Sequence, residues 1–452
     1  MLTYELKKAP GVPLYEALYR CIRDDILSGK LAPGEKLPSK RTLCANLKVS
    51  KITVEGAYNQ LLAEGYISSR EKVGYFVEAV ERIQPVSAPK PQAQPEPAPC
   101  IDLTGNGPSK FPFSVWSKLQ REVMLDLGQQ LLLDSPNQGL YALRQAIAGH
   151  LSQFRAMQVD PDNILIGAGT DFLYNLLIQL LGSDKRYAVE EPGYGKIPMI
   201  YGAAGAQCIQ VPLDDQGIRP DRLENAQVLH ISPSHHFPTG IVTPLARRQA
   251  LLRWAKAADD RWIIEDDYDS EFRFAAHPMP TMQSLDSSKV IYMNTFSKTL
   301  APSIRISYMV LPPVLMAAFR EKLGFYSCTV PSFEQHTLAR FLERGHFEKH
   351  INRMRKYYKS RRDRVLTALS CLQDRVTILE QDAGLHFLLQ VRTTQTDQAL
   401  VDRLEQLDIR VRALSSYYQG AAPSAADHCL VINYSGLSDE QLTLLEEKIK
   451  AL

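Results

Sequence analysis

Residues 79–100 carry Pro85, Pro89, Pro91, Pro95, Pro97 and Pro99 among Ala, Gln and Ser, and no other feature limits the fold more. Proline fixes φ and removes a backbone donor, so this density blocks helices and sheet ladders. The segment reads as an extended, semi-rigid spacer. It divides a chain of 452 residues into a small domain over 1–78 and a large one over 101–452. The content of 45% hydrophobic and 23% charged residues is that of a globular protein. The seven cysteines form no CxxC pair. Neither a metal centre nor a disulfide framework is expected, and reduced thiols fit a cytoplasmic protein. The N-terminus is charged and lacks the apolar core of a signal peptide. No segment reaches the roughly 18–20 apolar residues of a membrane span, so no membrane association is expected.

The N-terminal part is mildly basic, with 12 Lys and Arg against 9 Asp and Glu in the first 80 residues of the chain. Leu14, Leu18, Ile22 and Ile26 recur every four residues and predict one helix face over Leu14 to Leu27. Ser39 can cap a second helix reaching Leu47. Ser50 can cap a third over Ile52 to Glu64, with Gly65 as its stop. Tyr66-Ile67-Ser68 and Tyr75-Phe76-Val77 flank the turn Glu71-Lys72-Val73-Gly74 and predict a two-stranded wing. Three helices and a wing make a winged helix-turn-helix, whose third helix would enter a major groove.

The runs Gly34-Glu35-Lys36-Leu37-Pro38-Ser39-Lys40-Arg41, Val49-Ser50-Lys51-Ile52-Thr53-Val54 and Leu61-Leu62-Ala63-Glu64-Gly65-Tyr66-Ile67 resemble the GntR family of bacterial regulators, in order and spacing. The resemblance implies that Arg41, Ser50, Lys51 and Thr53 contact operator DNA, with Lys72 and Gly74 of the wing along a minor groove or backbone. The chemistry agrees. Arg41 and Lys51 can pair with phosphate or guanine edges, and Ser50 and Thr53 can donate to phosphates. Glu55 departs from the family, which usually has arginine there. An acid cannot bind phosphate. It can accept from a cytosine amino group or stay solvated.

In the large domain, apolar runs at Ile164–Ile166, Tyr187–Val189, Val228–Ile231, Trp262–Ile264 and Val290–Met293 alternate with helical stretches such as Asp171–Leu181 and Pro244–Ala258. This predicts an α/β body with a mainly parallel sheet covered by helices. Ligands of such sheets lie beyond the carboxyl ends of the strands. Asp266 and Tyr268 end one strand, and Lys298 follows another within Asn294-Thr295-Phe296-Ser297-Lys298.

These residue types suit pyridoxal 5'-phosphate. The cofactor needs a lysine for a Schiff base, an acid beside its ring nitrogen, a donor to its phenolate oxygen, and a phosphate cup. Lys298 is the candidate anchor and catalytic lysine. Asp266 would hold the ring nitrogen protonated, and Tyr268 would bond the phenolate oxygen. Gly169 and Thr170 offer amides at a helix N-terminus. Thr295, Ser297 and Arg305 would complete the cup. Tyr194, in Glu191-Pro192-Gly193-Tyr194, is suited to stack on the ring. Any one of these alone is an ordinary loop or surface residue; their joint order is not.

The body resembles the fold-type I, class I aminotransferases. With the GntR-like head, the whole chain resembles the MocR (GabR-like) regulators, through Ile264–Phe272, Ser232–Gly240 and Thr295–Pro302. The resemblance implies a homodimer, often head-to-tail. Two departures bear on function. Phe237 stands where an aminotransferase has the asparagine of Asn-Pro-Thr-Gly, and His235 or His236 could substitute or simply pack. Val431 aligns with the carboxylate-binding arginine, and Lys196 with a further arginine of members that respond to an amino acid. Valine cannot hold a carboxylate, and lysine lacks the bidentate fork. The expectation is a DNA-binding regulator that senses pyridoxal phosphate itself. The rivals are a working aminotransferase with an appended DNA-binding module and a regulator that responds to an amino acid or amine.

Overall fold

The computed structural model describes residues 2–4, 6, 13–80, 100–105, 110–273, 279–379 and 384–450. Nearly all of the expected spacer, 81–99, lies outside them. The chain separates into two compact units, Met1–Glu96 and Pro97–Leu452.

The first unit is a winged helix, as the periodicity predicted. Helix α1 (Leu14–Ser28) buries Leu18, Ile22 and Ile26, and stops at Gly29, whose φ of +78° suits a residue without Cβ. Helix α2 (Lys40–Leu47) begins at Ser39, whose side chain accepts from the Thr42 amide at 3.1 Å. Helix α3 (Lys51–Ala63) begins at Ser50, which accepts from the Thr53 amide at 3.2 Å. Val54, Tyr58 and Leu61 pin α3 to α1 and are fully buried. Truncating one such side chain to alanine costs about 2–5 kcal/mol. Strands β1 (Ile67–Arg70) and β2 (Gly74–Val77) pair antiparallel to form the wing.

The second unit holds the expected parallel sheet. Its strands are β3 (Ile101–Asp102), β4 (Ile164–Gly167), β5 (Arg186–Glu191), β6 (Gln207–Asp214), β7 (Gly217–Ile218), β8 (Val228–Ile231), β9 (Trp262–Asp266), β10 (Val290–Thr295), β11 (Ser307–Val310), β12 (Val376–Leu379), β13 (His386–Val391), β14 (Ile409–Arg410), β15 (Arg412–Ala413) and β16 (Cys429–Asn433). The main sheet runs β4-β11-β10-β9-β8-β5-β6-β7. Strands β5, β6, β8, β9 and β10 are mutually parallel. Strand β11 is antiparallel to both β10 and β4, so β4 points the same way as β10. Strands β9 and β10 are buried along their whole length, as a sheet covered on both faces requires. Two buried clusters flank the sheet, with Ile166, Tyr292 and Tyr308 in one and Leu165, Ile291 and Met309 in the other. A second sheet, β12-β13-β16-β15, is antiparallel. Neither it nor β6 and β11 stood out in the sequence.

The consequence for the site is geometric. The carboxyl ends of β4, β5, β8, β9 and β10 and the amino end of β11 share one edge of the sheet.

Candidate functional site

Every candidate residue of the body falls on that edge. Gly169 and Thr170 follow β4, Tyr194 follows β5, Asp266 and Tyr268 close β9, Thr295, Ser297 and Lys298 close β10, and Arg305 precedes β11.

Lys298 lies in the short helix Phe296–Thr299. Burial lowers the pKa of its amine from 10.5, while Asp269 and Asp266 pull it back up and Lys196 lowers it further. All three groups are therefore within electrostatic reach of Lys298. Asp266 is buried at the end of β9. Helices α4 (Phe113–Leu127), α5 (Tyr141–Arg155) and α6 (Thr170–Leu181) precede it in the chain, and its Oδ2 accepts from the hydroxyl of Tyr174, one turn into α6. His230 Nε2 lies 3.6 Å from the same oxygen. Asp266 Oδ1 is buried with no hydrogen-bond partner among the described residues.

The Tyr268 hydroxyl lies 3.4 Å from His235 Nδ1, and that nitrogen lies 2.8 Å from Asp269 Oδ2. A carboxylate only accepts, so His235 donates from Nδ1 to Asp269. His235 is fully enclosed, with the His386 ring 4.7 Å away, and Gly384 beside it has no room for a Cβ. His236 bonds Thr239 Oγ1 at 2.7 Å and lies 3.6 Å from Glu190. Burial lowers the His236 pKa to about 3 and raises that of Glu190 to about 8.

At the other end of the site, Gly169 caps α6 with φ +90°. A Cβ there would lie 2.2 Å from Arg305 Nη2, so only glycine admits the guanidinium. Arg305 itself is half exposed and 3.5 Å from Asp171. The first amides of α6 have no partner within the helix and carry its positive dipole end. Thr295 is engaged in the fold: its hydroxyl accepts from the Ser297 amide at 3.1 Å and from Ser307 Oγ at 2.8 Å. Ser297 Oγ is buried and has no partner among the described residues.

Tyr194 meets Phe237 edge-on at 6.2 Å, and Phe237 meets Tyr417 edge-on at 5.2 Å. Phe237 and Tyr417 pack against a buried cluster that includes Val431, Leu388 and Leu414. Where the resemblance leads one to expect an arginine, the wall is therefore apolar. Tyr174, His230, Glu190, Asp269 and His386 were not singled out from the sequence. Asp269 had a signal, since it continues the Asp266-Asp267 run; the others are single residues whose neighbours only the sheet reveals.

In the head, Arg41 and Lys51 are exposed at the starts of α2 and α3. Ser50 and Thr53 bond each other through their hydroxyls at 2.8 Å. Lys72 adopts φ +59° and Gly74 φ +135° in the wing turn. Glu55 lies 3.6 Å from Lys51 and 4.0 Å from Lys40.

Comparison with known proteins agrees with both units. Residues 14–77 match the gntR family of bacterial regulatory proteins, and residues 98–449 match the class I and II aminotransferases. The chain is 36% identical to the HTH-type transcriptional regulator YdeL of Bacillus subtilis, over 100% of this chain and 99% of that one. It is 32% identical to the HTH-type pyridoxine biosynthesis transcriptional regulator PdxR of Corynebacterium glutamicum, over 93% and 92%. Among solved structures, a kynurenine aminotransferase of Pyrococcus horikoshii superposes with a TM-score of 0.67 at 26% identity, over 78% of this chain and 91% of that one. A body of this fold implies dependence on pyridoxal phosphate. The side chains fit that group. A half-buried lysine, a buried carboxylate oxygen without a partner among the described residues, a buried hydroxyl likewise without one and a glycine-lined helix start face one edge.

Proposed function

We infer that this chain, which belongs to the class I and II aminotransferase family and carries the GntR-family head of the MocR-type regulators, is a transcriptional regulator whose operator binding depends on pyridoxal phosphate. Lys298 would hold the cofactor's aldehyde carbon. Asp266 Oδ1 would accept a hydrogen bond from the protonated ring nitrogen, with Tyr174 and His230 keeping that carboxylate in place. Tyr268 would donate to the phenolate oxygen, with His235 and Asp269 behind it. Ser297, Arg305 and the first amides of α6 from Thr170 would take the phosphate, with Gly169, whose own amide donates to the Gly167 carbonyl at 2.9 Å, leaving room for Arg305, and Tyr194 would cover one ring face. When bound, the cofactor supplies an electron sink at its ring.

The observation that carries this reading is the pair of buried, unpartnered oxygens, Asp266 Oδ1 and Ser297 Oγ. Such atoms are costly unless a ligand completes them. The apolar side chains of Val431 and Phe237 support the cofactor itself as the signal, because neither can pair with an amino acid's carboxylate at the position where the resemblance leads one to expect an arginine. The relative named for pyridoxine biosynthesis supports the same reading. Exposed Leu125, Leu132, Leu133 and Phe325 are apolar surface of the kind a homodimer covers.

The test is a mobility-shift titration of operator DNA by the full chain, with and without pyridoxal phosphate, for wild type and Lys298→Ala. A cofactor-dependent change in wild type alone is expected. Equal affinities in all four cases would overturn the reading. The second reading, aminotransferase turnover, is favoured by the likeness to solved aminotransferases. Rapid spectral conversion of the bound cofactor by amino acids would establish it.

A further inference from the structure

We propose that Ile52 and Glu55, on the exposed face of α3, read two adjacent bases of the operator, Ile52 packing on a thymine methyl and Glu55 accepting from a cytosine amino group. The inference rests on the reading of the first unit as a DNA-binding head.

Ile52 is 80% exposed, more than any other large apolar side chain among the described residues. It contributes nothing to the head's core, which Val54, Ala57, Tyr58 and Leu61 supply from the other face of α3. It sits in the first helical turn, where a β-branched residue has no helix-forming advantage. The next residues on its helix face are Glu55 and Gly56, with Tyr15 of α1 packed beside Gly56. An exposed apolar side chain at the leading end of a recognition helix has a natural partner in a major groove, the C5 methyl of thymine.

Glu55 is three residues further on and therefore on the same face. Its side chain is 37% exposed, and the lysines at 3.6 and 4.0 Å hold it in place. A carboxylate repels phosphate, so the pairing with Lys40 and Lys51 keeps those cations at the groove edge while Glu55 faces the base pairs. In the groove, a carboxylate is matched by the amino donor of cytosine. Three residues of helix rise about 4.5 Å. That is close to the ~3.4 Å spacing of successive bases on one strand, so neighbouring base pairs fall beneath the two side chains. Glu55 also discriminates by exclusion: a guanine O6 or thymine O4 at its position places acceptor against acceptor.

The full chain would be used to select duplexes from a randomised pool, and each thymine of a selected duplex replaced in turn by deoxyuridine, which lacks only the methyl group. Wild type is expected to lose about fourfold in affinity at one thymine per half-site, the worth of one buried methyl-sized group. Ile52→Ala is expected to bind the thymine and uridine duplexes equally. Glu55→Gln is expected to lose about tenfold of the preference for cytosine at the adjacent position. Uridine tolerated by wild type at every position would overturn the proposal. So would an Ile52→Ala protein that still distinguishes the two duplexes. The uridine exchange alters only the DNA, so its result does not depend on a variant's folding. Failure to bind any duplex would overturn the DNA-binding reading itself, and this inference with it.

Discussion

Tyr174 donates its phenolic hydrogen to Asp266 Oδ2, linking the first turns of α6 to the carboxyl end of β9. Both groups are buried, and the bond leaves Asp266 Oδ1 as the single open acceptor of that carboxylate among the described residues.

Tyr174→Phe therefore strands a second buried oxygen on Asp266. A loss of about 1–3 kcal/mol in unfolding free energy is expected, together with weaker binding of pyridoxal phosphate. Urea denaturation and an absorbance titration measure the two effects. Unchanged cofactor affinity in a destabilised protein would show that Asp266 does not meet the ring nitrogen.

Gly169→Ala places a methyl group where Arg305 Nη2 lies 2.2 Å away, at a φ of +90° that side chains rarely adopt. Arg305 is half exposed and can swing aside, so the fold should lose only about 1–2 kcal/mol. Cofactor affinity should fall at least tenfold, because the guanidinium leaves the phosphate site. Retained affinity would place the phosphate elsewhere.

Glu190 gives a pH signature. Burial raises its pKa from 4.5 to about 8, the Ser232 amide opposes this, and the nearby Asp266 adds to it. The native state thus holds a proton that the unfolded chain has lost between pH 4.5 and about 8. Stability falls as pH rises through that window, by at most about 1.4 kcal/mol per pH unit for one proton. Glu190→Gln should remove this slope. Its stability relative to wild type should rise from pH 5 to pH 8, read by urea midpoints. Parallel curves would mean that Glu190 stays ionised in the native state.

Lys51 carries a largely exposed ammonium at the start of α3. Lys51→Ala should weaken DNA binding and lower the slope of log affinity against log salt by about 1 if the ammonium meets a phosphate. An unchanged slope with altered base preference would assign Lys51 to a guanine edge instead.

The winged helix was readable from the sequence because its signals are local. Ser39 and Ser50 cap the helices they were expected to cap, and Gly29 stops the first. The strands that lead to Asp266 and Lys298 were equally plain, since buried parallel strands are continuous apolar runs. What stayed hidden depends on pairing. Ser307–Val310 was not singled out, since its place shows only in the pairing, yet it joins β4 to β10 and brings Arg305 to the site. His230, Glu190 and His386 matter through neighbours far away in sequence. Thr295 also accepts from the Ser297 amide and Ser307 Oγ, a structural role invisible without the turn's geometry that leaves its own O–H able to donate.

The place of β11 also governs when the site can exist. Strand β4 pairs with β11 and with no other strand of the main sheet. During synthesis the Gly169 turn is made long before Lys298, yet it has no docking position until Val310 has emerged and β11 has zipped into the sheet. A chain cut before that strand holds both Lys298 and the Gly169 turn in its sequence but lacks the strand that joins β4 to β10. On the proposed function, capture of the cofactor would therefore come late in maturation, open only to chains in which β11 has joined the central sheet.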